Sequence, residues 1–137
     1  MRRLDWAFLP RKVLAMSMSF QGKSVLVIED DALIAMDVAE NLESLGFSVH
    51  QVGSVKAAIQ YLTGAADKPN VSIVDARLGD GDAKAVATLL RSRGLPFIFT
   101  TGDPQGVRDW GYDVPVLSKP FATPDLEMAV RSALGIG

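Results

Sequence analysis

The sequence contains no cysteine and only one histidine, His50. Without thiols the chain cannot form disulfides or cysteine-ligated metal sites, and it has no cysteine nucleophile. A single imidazole cannot build a histidine metal cluster by itself. A chain without cysteine suits a reducing compartment, and we predict a cytoplasmic location.

The sequence also lacks an excess of charge and a long apolar run. It carries 14 basic and 16 acidic residues, which gives a formal net charge of -2. This balance provides no general field that attracts nucleic acid. No apolar run approaches the roughly 20 residues of a membrane-spanning helix. We therefore expect neither direct DNA binding nor insertion into a membrane.

The composition predicts one folded domain. Hydrophobic residues make up 48% of the 137 positions and charged residues 22%, which is typical of a globular chain with a real core. The first twenty residues differ, because basic residues flank Trp6, Phe8 and Leu9 without the apolar core of a signal peptide. We predict that residues 1–20 are a leader, either disordered or a short helix, and that residues 21–137 form the domain.

Short apolar runs alternate with helical patterns from Lys23 onward. Five runs predict strands, at residues 24–28, 47–52, 71–74, 97–100 and 114–117. Helices are predicted between and after them, with Ser54 and Thr123 as N-caps. The glycine-rich stretch from Thr101 to Val114 has room for only one or two helical turns. Such an alternation predicts a parallel sheet with helices on both faces.

Chemically active side chains follow four of the predicted strands. They are Glu29, Asp30 and Asp31 after the first strand, Asp75 after the third, Thr101 after the fourth and Lys119 after the fifth. The carboxyl ends of parallel strands meet at one edge of the sheet, where ligands bind in open α/β folds. Clustered acids repel one another, and Mg²⁺ with its preference for carboxylate oxygens would offset that repulsion.

An aspartate in such a place can act as a nucleophile towards phosphorus and form an acyl phosphate. Mg²⁺, the Lys119 ammonium and the Thr101 hydroxyl would then contact the oxygens of the transferring group. Taken singly, each group has a simpler explanation: acids at a helix N-terminus, a turn aspartate, a helix cap and a surface lysine. Their joint occurrence at four strand ends favours the phosphoryl-transfer interpretation.

Four strings carry a resemblance to a known family: VLVIEDD, VDARLGDGD, PFIFTTGD and VLSKPF. Together they resemble the receiver domain of bacterial two-component response regulators, over about Lys23 to Leu134. The resemblance implies a flavodoxin-like, doubly wound sheet of five parallel strands in the order 2-1-3-4-5. It also implies phosphorylation by a histidine kinase or a histidine phosphotransfer protein, with no enzymatic activity beyond self-catalysed phosphoryl transfer and dephosphorylation.

The resemblance further assigns roles to individual residues. Asp75 matches the phospho-acceptor and is also one of the metal ligands, and Glu29 and Asp30 match the acidic pair that holds Mg²⁺. Arg77 stands where the family offers a backbone carbonyl to the metal. Thr101 matches the family's switch hydroxyl. Lys119 matches its lysine in a K-P-F string.

The sequence departs from the family pattern at Val116, where the family usually has an aromatic residue three positions before the lysine. The coupling of hydroxyl and aromatic side chain is therefore open, as is dimerisation through the short fourth helix. The F-x-T-G string at Phe99–Gly102 is similar to a subgroup of single-domain receivers from alphaproteobacteria. That subgroup tends to carry a tyrosine shortly after the glycine, where this sequence has Asp103 and Pro104.

Two alternatives remain at this point. One is an interaction module that works without phosphate, which the valine at position 116 keeps open. The other is an aspartyl-phosphate hydrolase of the haloacid-dehalogenase type, which needs an acid two residues after the nucleophile; that position is Arg77, which cannot supply the proton. No further module follows the last predicted helix, so we expect output through contact with a protein target or withdrawal of phosphate from a relay.

Overall fold

The computed structural model describes residues 20–64 and 67–136. Residues 1–19 of the predicted leader lie outside this part of the chain. Phe20, which the sequence prediction also assigns to the leader, is completely buried, and its ring stacks on Phe47 with 4.5 Å between the ring centroids.

Five parallel strands form one sheet. They are β1 (Ser24–Ile28), β2 (Ser48–Val52), β3 (Val71–Asp75), β6 (Phe97–Thr101) and β7 (Val116–Ser118), in the order β2-β1-β3-β6-β7. Central strands β3 and β6 are buried at every position, as their continuous apolar runs predict, whereas the residues of the edge strands β2 and β7 are half-buried or exposed. The order 2-1-3-4-5 of the five predicted strands is confirmed.

Helices cover both faces of the sheet. They are α1 (Ala32–Ser44), α2 (Val55–Thr63), α3 (Lys84–Ser92), α4 (Pro104–Arg108) and α5 (Thr123–Leu134). Helices α1 and α5 pack with Phe20 on one face, and α2, α3 and α4 pack on the other. No helix in the described ranges combines the length and apolar character needed to cross a bilayer.

One of the two predicted N-caps is found at the start of its helix, and the other is not. Ser54 caps α2, since its Oγ accepts a hydrogen bond from the Ala57 N–H at 3.0 Å. The prediction of Thr123 as a cap is wrong, because Thr123 already lies inside α5. The cap position belongs to Ala122, whose backbone is extended and whose N–H donates to Asp125 at 3.3 Å. Proline at the second helical position remains compatible with this start.

Two loop features shape the site edge of the sheet. The fourth helix has only five residues, as predicted, and Asp103 caps it by accepting a hydrogen bond from the Gly106 N–H at 3.2 Å. The sequence gives no sign of the second feature, a small antiparallel hairpin of β4 (Arg77–Leu78) and β5 (Gly81–Asp82) between β3 and α3. Gly81 has φ +142°, a conformation that favours glycine.

Candidate functional site

Three carboxylates meet at the carboxyl ends of β1 and β3. Glu29 and Asp30 directly follow β1, and Asp75 is the last residue of β3. The two strands are neighbours, with Ile28 level with Val74, so their ends lie side by side. One oxygen from each carboxylate lies within 4.8 Å of the other two. The structure therefore brings together the three acids that the sequence analysis assigned to a metal site.

Lys119 reaches the same cluster from the end of β7. Its Nζ lies 2.7 Å from Oε1 of Glu29 and 3.0 Å from Oδ2 of Asp75. The Glu29 and Asp75 side chains are only 5% and 9% exposed, so water screens these ion pairs weakly. The Lys119 backbone N–H donates to the Thr101 carbonyl at 2.7 Å and thereby fixes the lysine relative to β6.

The cluster has an unbalanced charge. Burial raises the pKa of Glu29 to about 7, and the neighbouring Asp75 adds to this shift while Lys119 opposes it. Burial also disfavours the charged form of Lys119, but hydrogen bonds and attraction from Glu29 and Asp75 outweigh it and raise the pKa of the ammonium. Three carboxylates thus face one ammonium group.

A divalent cation fits this donor set. Mg²⁺ binds hard carboxylate oxygens and keeps several water ligands, and Asp30 is open to solvent on the outer side of the cluster. Two positive charges would balance the excess of the three carboxylates over Lys119. Glu29, Asp30 and Asp75 are therefore the side chains that could hold such an ion.

Both oxygens of Asp75 have fixed partners. Oδ1 accepts a hydrogen bond from the Arg77 backbone N–H at 3.2 Å, and Oδ2 contacts Lys119. The side chain of Arg77 is exposed, and its backbone begins the hairpin. The carboxylate is thus oriented by the segment that follows it and by the lysine from β7.

Thr101 lies at the same edge, because Thr100 is level with Asp75 on the adjacent strand. Its side chain is buried, and its Oγ1 accepts a hydrogen bond from the Asp103 N–H at 3.0 Å. Within the described residues, the structure does not join the Thr101 hydroxyl to the carboxylates or to the Lys119 ammonium. It joins the hydroxyl instead to the residue that caps α4.

An aromatic cluster that was not predicted from the sequence lies on the α3–α4 side of β6. Trp110 and Tyr112 follow α4 and pack edge to face against Phe99, at 5.5 and 5.7 Å between ring centroids. The Tyr112 hydroxyl lies 2.7 Å from Oγ1 of Thr88 on α3. Aromatic side chains therefore do line β6, although position 116 holds a valine. The presence of Trp110 and Tyr112 within the glycine-rich stretch is the feature of the sequence that could have indicated this cluster.

A groove runs beside the carboxylates. It has a volume of about 430 Å³ and lies between α1 and the segment that joins β7 to α5. Its lining is mostly apolar and consists of Leu33, Ile34, Asp37, Val38, Lys119, Pro120 and Phe121. Leu33 is 76% exposed, which is unusual for a large apolar side chain at the start of a helix. Lys119 thus borders both the acidic cluster and the groove.

Comparison with known sequences identifies one family. The response regulator receiver domain model matches residues 25–131. The phyllosphere-induced regulator PhyR of Methylorubrum extorquens is 30% identical over 114 residues, which cover 80% of this chain and 43% of that protein. The chain therefore spans less than half the length of this relative.

Solved structures agree with this likeness. The solution structure of SdrG from Sphingomonas melonis superposes with a TM-score of 0.69 at 33% identity, covering 83% of this chain and 97% of SdrG. The receiver domain of sensor histidine kinase PA1611 from Pseudomonas aeruginosa superposes with a TM-score of 0.73 at 24% identity, covering 83% and 98%. That crystal structure has a magnesium ion coordinated in its active site cleft.

Proposed function

The chain belongs to the response regulator receiver domain family, and from that premise we propose that it accepts a phosphoryl group on Asp75 in a Mg²⁺-dependent reaction. The donor is a histidine kinase or a histidine phosphotransfer protein, and the output is contact with a protein target. One observation carries the proposal: the Lys119 ammonium lies between Glu29 and Asp75, beside Asp30, at the carboxyl edge of the sheet.

Four groups would hold the metal: the carboxylates of Glu29, Asp30 and Asp75 and the backbone carbonyl of Arg77. The first three support the proposal through their mutual distances. The Arg77 carbonyl is proposed from the family resemblance. A bound Mg²⁺ would supply positive charge to the oxygens of the transferring phosphoryl group.

Asp75 supplies the nucleophile. One of its carboxylate oxygens forms a bond to phosphorus while the phosphorus–nitrogen bond of the donor's phosphohistidine breaks, and the electron pair of that bond returns to the imidazole ring. The contacts from the Arg77 N–H and the Lys119 ammonium hold the carboxylate in place before the reaction. Each signal thus modifies one aspartate of the protein itself, which is regulation and not turnover of a substrate.

Lys119 and Thr101 act on the phosphoryl oxygens. The ammonium that now contacts Glu29 and Asp75 would pair with one oxygen of the new acyl phosphate. Thr101 accepts a hydrogen bond from the Asp103 N–H through its oxygen, and among the described residues its own proton has no acceptor, so that proton could be donated to a second oxygen. That donation would couple the phosphorylated aspartate to the start of α4.

The groove beside Lys119 is the proposed contact surface for the phosphodonor protein. Its apolar lining suits one face of an amphipathic helix, and a helix that covered Leu33 would lie next to the carboxylates. Acidic side chains surround it, since Asp30, Asp31 and Asp37 are exposed near the same helix start. A partner with basic residues flanking an apolar stripe would match this surface.

Intact-protein mass spectrometry tests the proposed reaction. The wild-type chain is incubated with acetyl phosphate, with and without Mg²⁺, beside the variants Asp75→Asn and Asp113→Asn. The second variant is the matched control, because Asp113 is an exposed aspartate far from the carboxylates. We expect one phosphoryl adduct on the wild type and on Asp113→Asn, and none without Mg²⁺ or on Asp75→Asn.

An adduct of equal yield on Asp75→Asn would refute Asp75 as the acceptor. If the wild type acquires no adduct from acetyl phosphate, a titration with beryllium fluoride and Mg²⁺ tests whether the site can bind a phosphoryl mimic at all. Failure of both would leave the phosphate-independent interaction module as the function that remains.

A further inference from the structure

We propose that Asp80 is a positioning residue for the metal site, because it fastens the loop that follows Asp75 to the N-terminus of α2. The proposal rests on the proposed function, since it concerns the same site. Asp80 touches neither the carboxylate cluster nor Lys119 through a hydrogen bond within the described residues. It would act through the loop that carries Arg77 and Gly79.

The loop after Asp75 is a minimal hairpin. Arg77 pairs with Asp82 and Leu78 with Gly81, which leaves Gly79 and Asp80 as its two-residue turn. Leu78 is buried in the core, but the other residues of the hairpin are exposed, and two strands of two residues each are not stable by themselves in water. The position of the exposed turn therefore depends on what the turn is attached to.

Asp80 provides that attachment. Its Oδ1 accepts a hydrogen bond from the Val55 N–H at 2.9 Å, and its Oδ2 accepts one from the Lys56 N–H at 3.1 Å. These N–H groups belong to the first turn of α2, where no partner exists within the helix. The helix N-terminus also favours the negative charge of the carboxylate. The turn is thus held by two charge-assisted hydrogen bonds to a rigid element.

The helix has a second cap that does not touch the hairpin. Ser54 accepts a hydrogen bond from the Ala57 N–H at 3.0 Å, which is the usual local way to start a helix. The helix therefore has its own cap, and the contribution specific to Asp80 is the link between the helix and the hairpin. This difference allows the two roles to be separated experimentally.

The other side of the turn lies against the metal site. A Cβ atom added to Gly79 would lie 3.5 Å from Oδ2 of Asp30, so the turn lies close to that carboxylate. The segment after β2 lies beside the site as well, because the Glu29 N–H donates to the Val52 carbonyl at 3.1 Å. Asp80 thus ties the loop that follows β3 to the helix that follows β2, and the turn of that loop lies close to the residues that follow β1.

Mg²⁺ binding requires near-ideal octahedral geometry, so the affinity depends on how firmly the ligands are held. Without Asp80 the turn loses its attachment to α2, so Gly79 beside Asp30 and Arg77 at the base of the hairpin are held less firmly. Residues that orient metal ligands typically change metal affinity by about 10- to 100-fold when they are removed. We expect the loss of Asp80 to weaken Mg²⁺ binding by roughly tenfold, at the lower end of that range.

Isothermal titration of the full chain with Mg²⁺ alone tests the role. The variants are Asp80→Ala and Ser54→Ala, each of which removes one cap of the same helix, and Asp80→Asn, which keeps one acceptor oxygen. We expect the dissociation constant to rise roughly tenfold for Asp80→Ala, to rise less for Asp80→Asn and to stay within about twofold of wild type for Ser54→Ala. Circular dichroism at the titration temperature identifies the variants that are folded.

The possible outcomes separate the two proposals. Equal changes for Asp80→Ala and Ser54→Ala, or no change for either, would reduce Asp80 to an ordinary helix cap while the metal site stands. The absence of saturable Mg²⁺ binding by the wild type would overturn the proposed function, and the positioning role with it. If Asp80→Ala does not fold, the comparison of Asp80→Asn with Ser54→Ala decides in the same way.

Discussion

Lys119 and Glu29 place ionisable groups in largely buried positions at the carboxyl edge of the sheet. Lys119 precedes a proline and resembles a surface lysine, yet its ammonium contacts two almost fully buried carboxylates. Glu29 resembles one of several acids at a helix start, yet burial and Asp75 raise its pKa to about 7. Such arrangements of like charges oppose folding, and proteins typically retain them where function needs them.

Ser72 is a buried polar residue that lies outside the site and has no evident function. It lies in the central strand β3 with its hydroxyl buried, and within the described residues that hydroxyl has no hydrogen-bond partner. A buried unpaired hydroxyl costs about 1–3 kcal/mol of desolvation that nothing offsets. Nothing in the described structure gives this hydroxyl a task, so removing it should not harm the fold.

We predict that Ser72→Ala leaves the free energy of unfolding unchanged or raises it by up to about 1 kcal/mol. Urea unfolding measures the change. Ser54→Ala is the control, because its hydroxyl does cap α2, and its loss should cost about 1 kcal/mol. A loss of more than about 1 kcal/mol in Ser72→Ala would show that the hydroxyl has a partner after all.

At the level of elements, the loops around the site are held by contacts between distant segments. The hairpin is attached to α2 through Asp80, and the segment after α4 is attached to α3 through the hydroxyl of Tyr112. Helix α4 itself has only five residues and one buried side chain, Val107. The site edge is thus stabilised by tertiary contacts where the secondary structure is short.

The Asp80 attachment predicts a dependence of stability on pH. Hydrogen bonds from the Val55 and Lys56 N–H groups lower the pKa of Asp80 below its ordinary value of about 3.9. A lowered carboxyl pKa stabilises the fold above the unfolded pKa, and this stabilisation disappears as the pH falls through the folded pKa. The exposed position of Asp80 means that salt weakens the effect.

We therefore expect Asp80→Asn to be less stable than wild type at pH 7 and the difference to shrink as the pH falls below about 4. Urea unfolding between pH 3 and 7, at fixed ionic strength, measures both proteins. A difference that stays constant over this range would show that the charge of Asp80 does not contribute, and that only its shape or its neutral hydrogen bonding matters.

The whole molecule presents two distinct sides. Helices α1 and α5 cover one face of the sheet and α2 to α4 the other, while the chemistry lies at the carboxyl edge between them. The groove next to Lys119 opens on the α1 side. The hairpin and the aromatic cluster lie on the opposite side, so the proposed phosphodonor contact and the proposed internal coupling would occupy different surfaces.

The groove predicts a selective effect on phosphotransfer from proteins. Leu33→Gln should slow labelling by a phosphodonor protein roughly tenfold, which corresponds to about 1.4 kcal/mol of lost contact, without changing labelling by acetyl phosphate. Met128→Gln is the matched control, because Met128 is 70% exposed on α5 whereas Leu33 is 76% exposed on α1. Both substitutions replace an exposed apolar residue of a helix with a neutral polar one.

Radiolabel transfer from any phosphodonor protein that labels the wild type measures these rates. Equal slowing of both variants would mean that the groove has no special part in the contact. If Leu33→Gln also slows labelling by acetyl phosphate, the substitution disturbs the phosphorylation site itself.

Sequence alone determined the approximate positions of the five sheet strands, the β/α alternation and the set of candidate residues at the strand ends. Buried parallel strands require continuous apolar runs, and right-handed crossovers bring all their carboxyl ends to one edge, so both leave a signal in the chain. Only the tertiary structure decided that Lys119 contacts Glu29 and Asp75, 90 and 44 positions away, and that Asp80 caps α2. Such contacts depend on loop conformations and side-chain rotamers that have no period, and no pattern in the sequence records them.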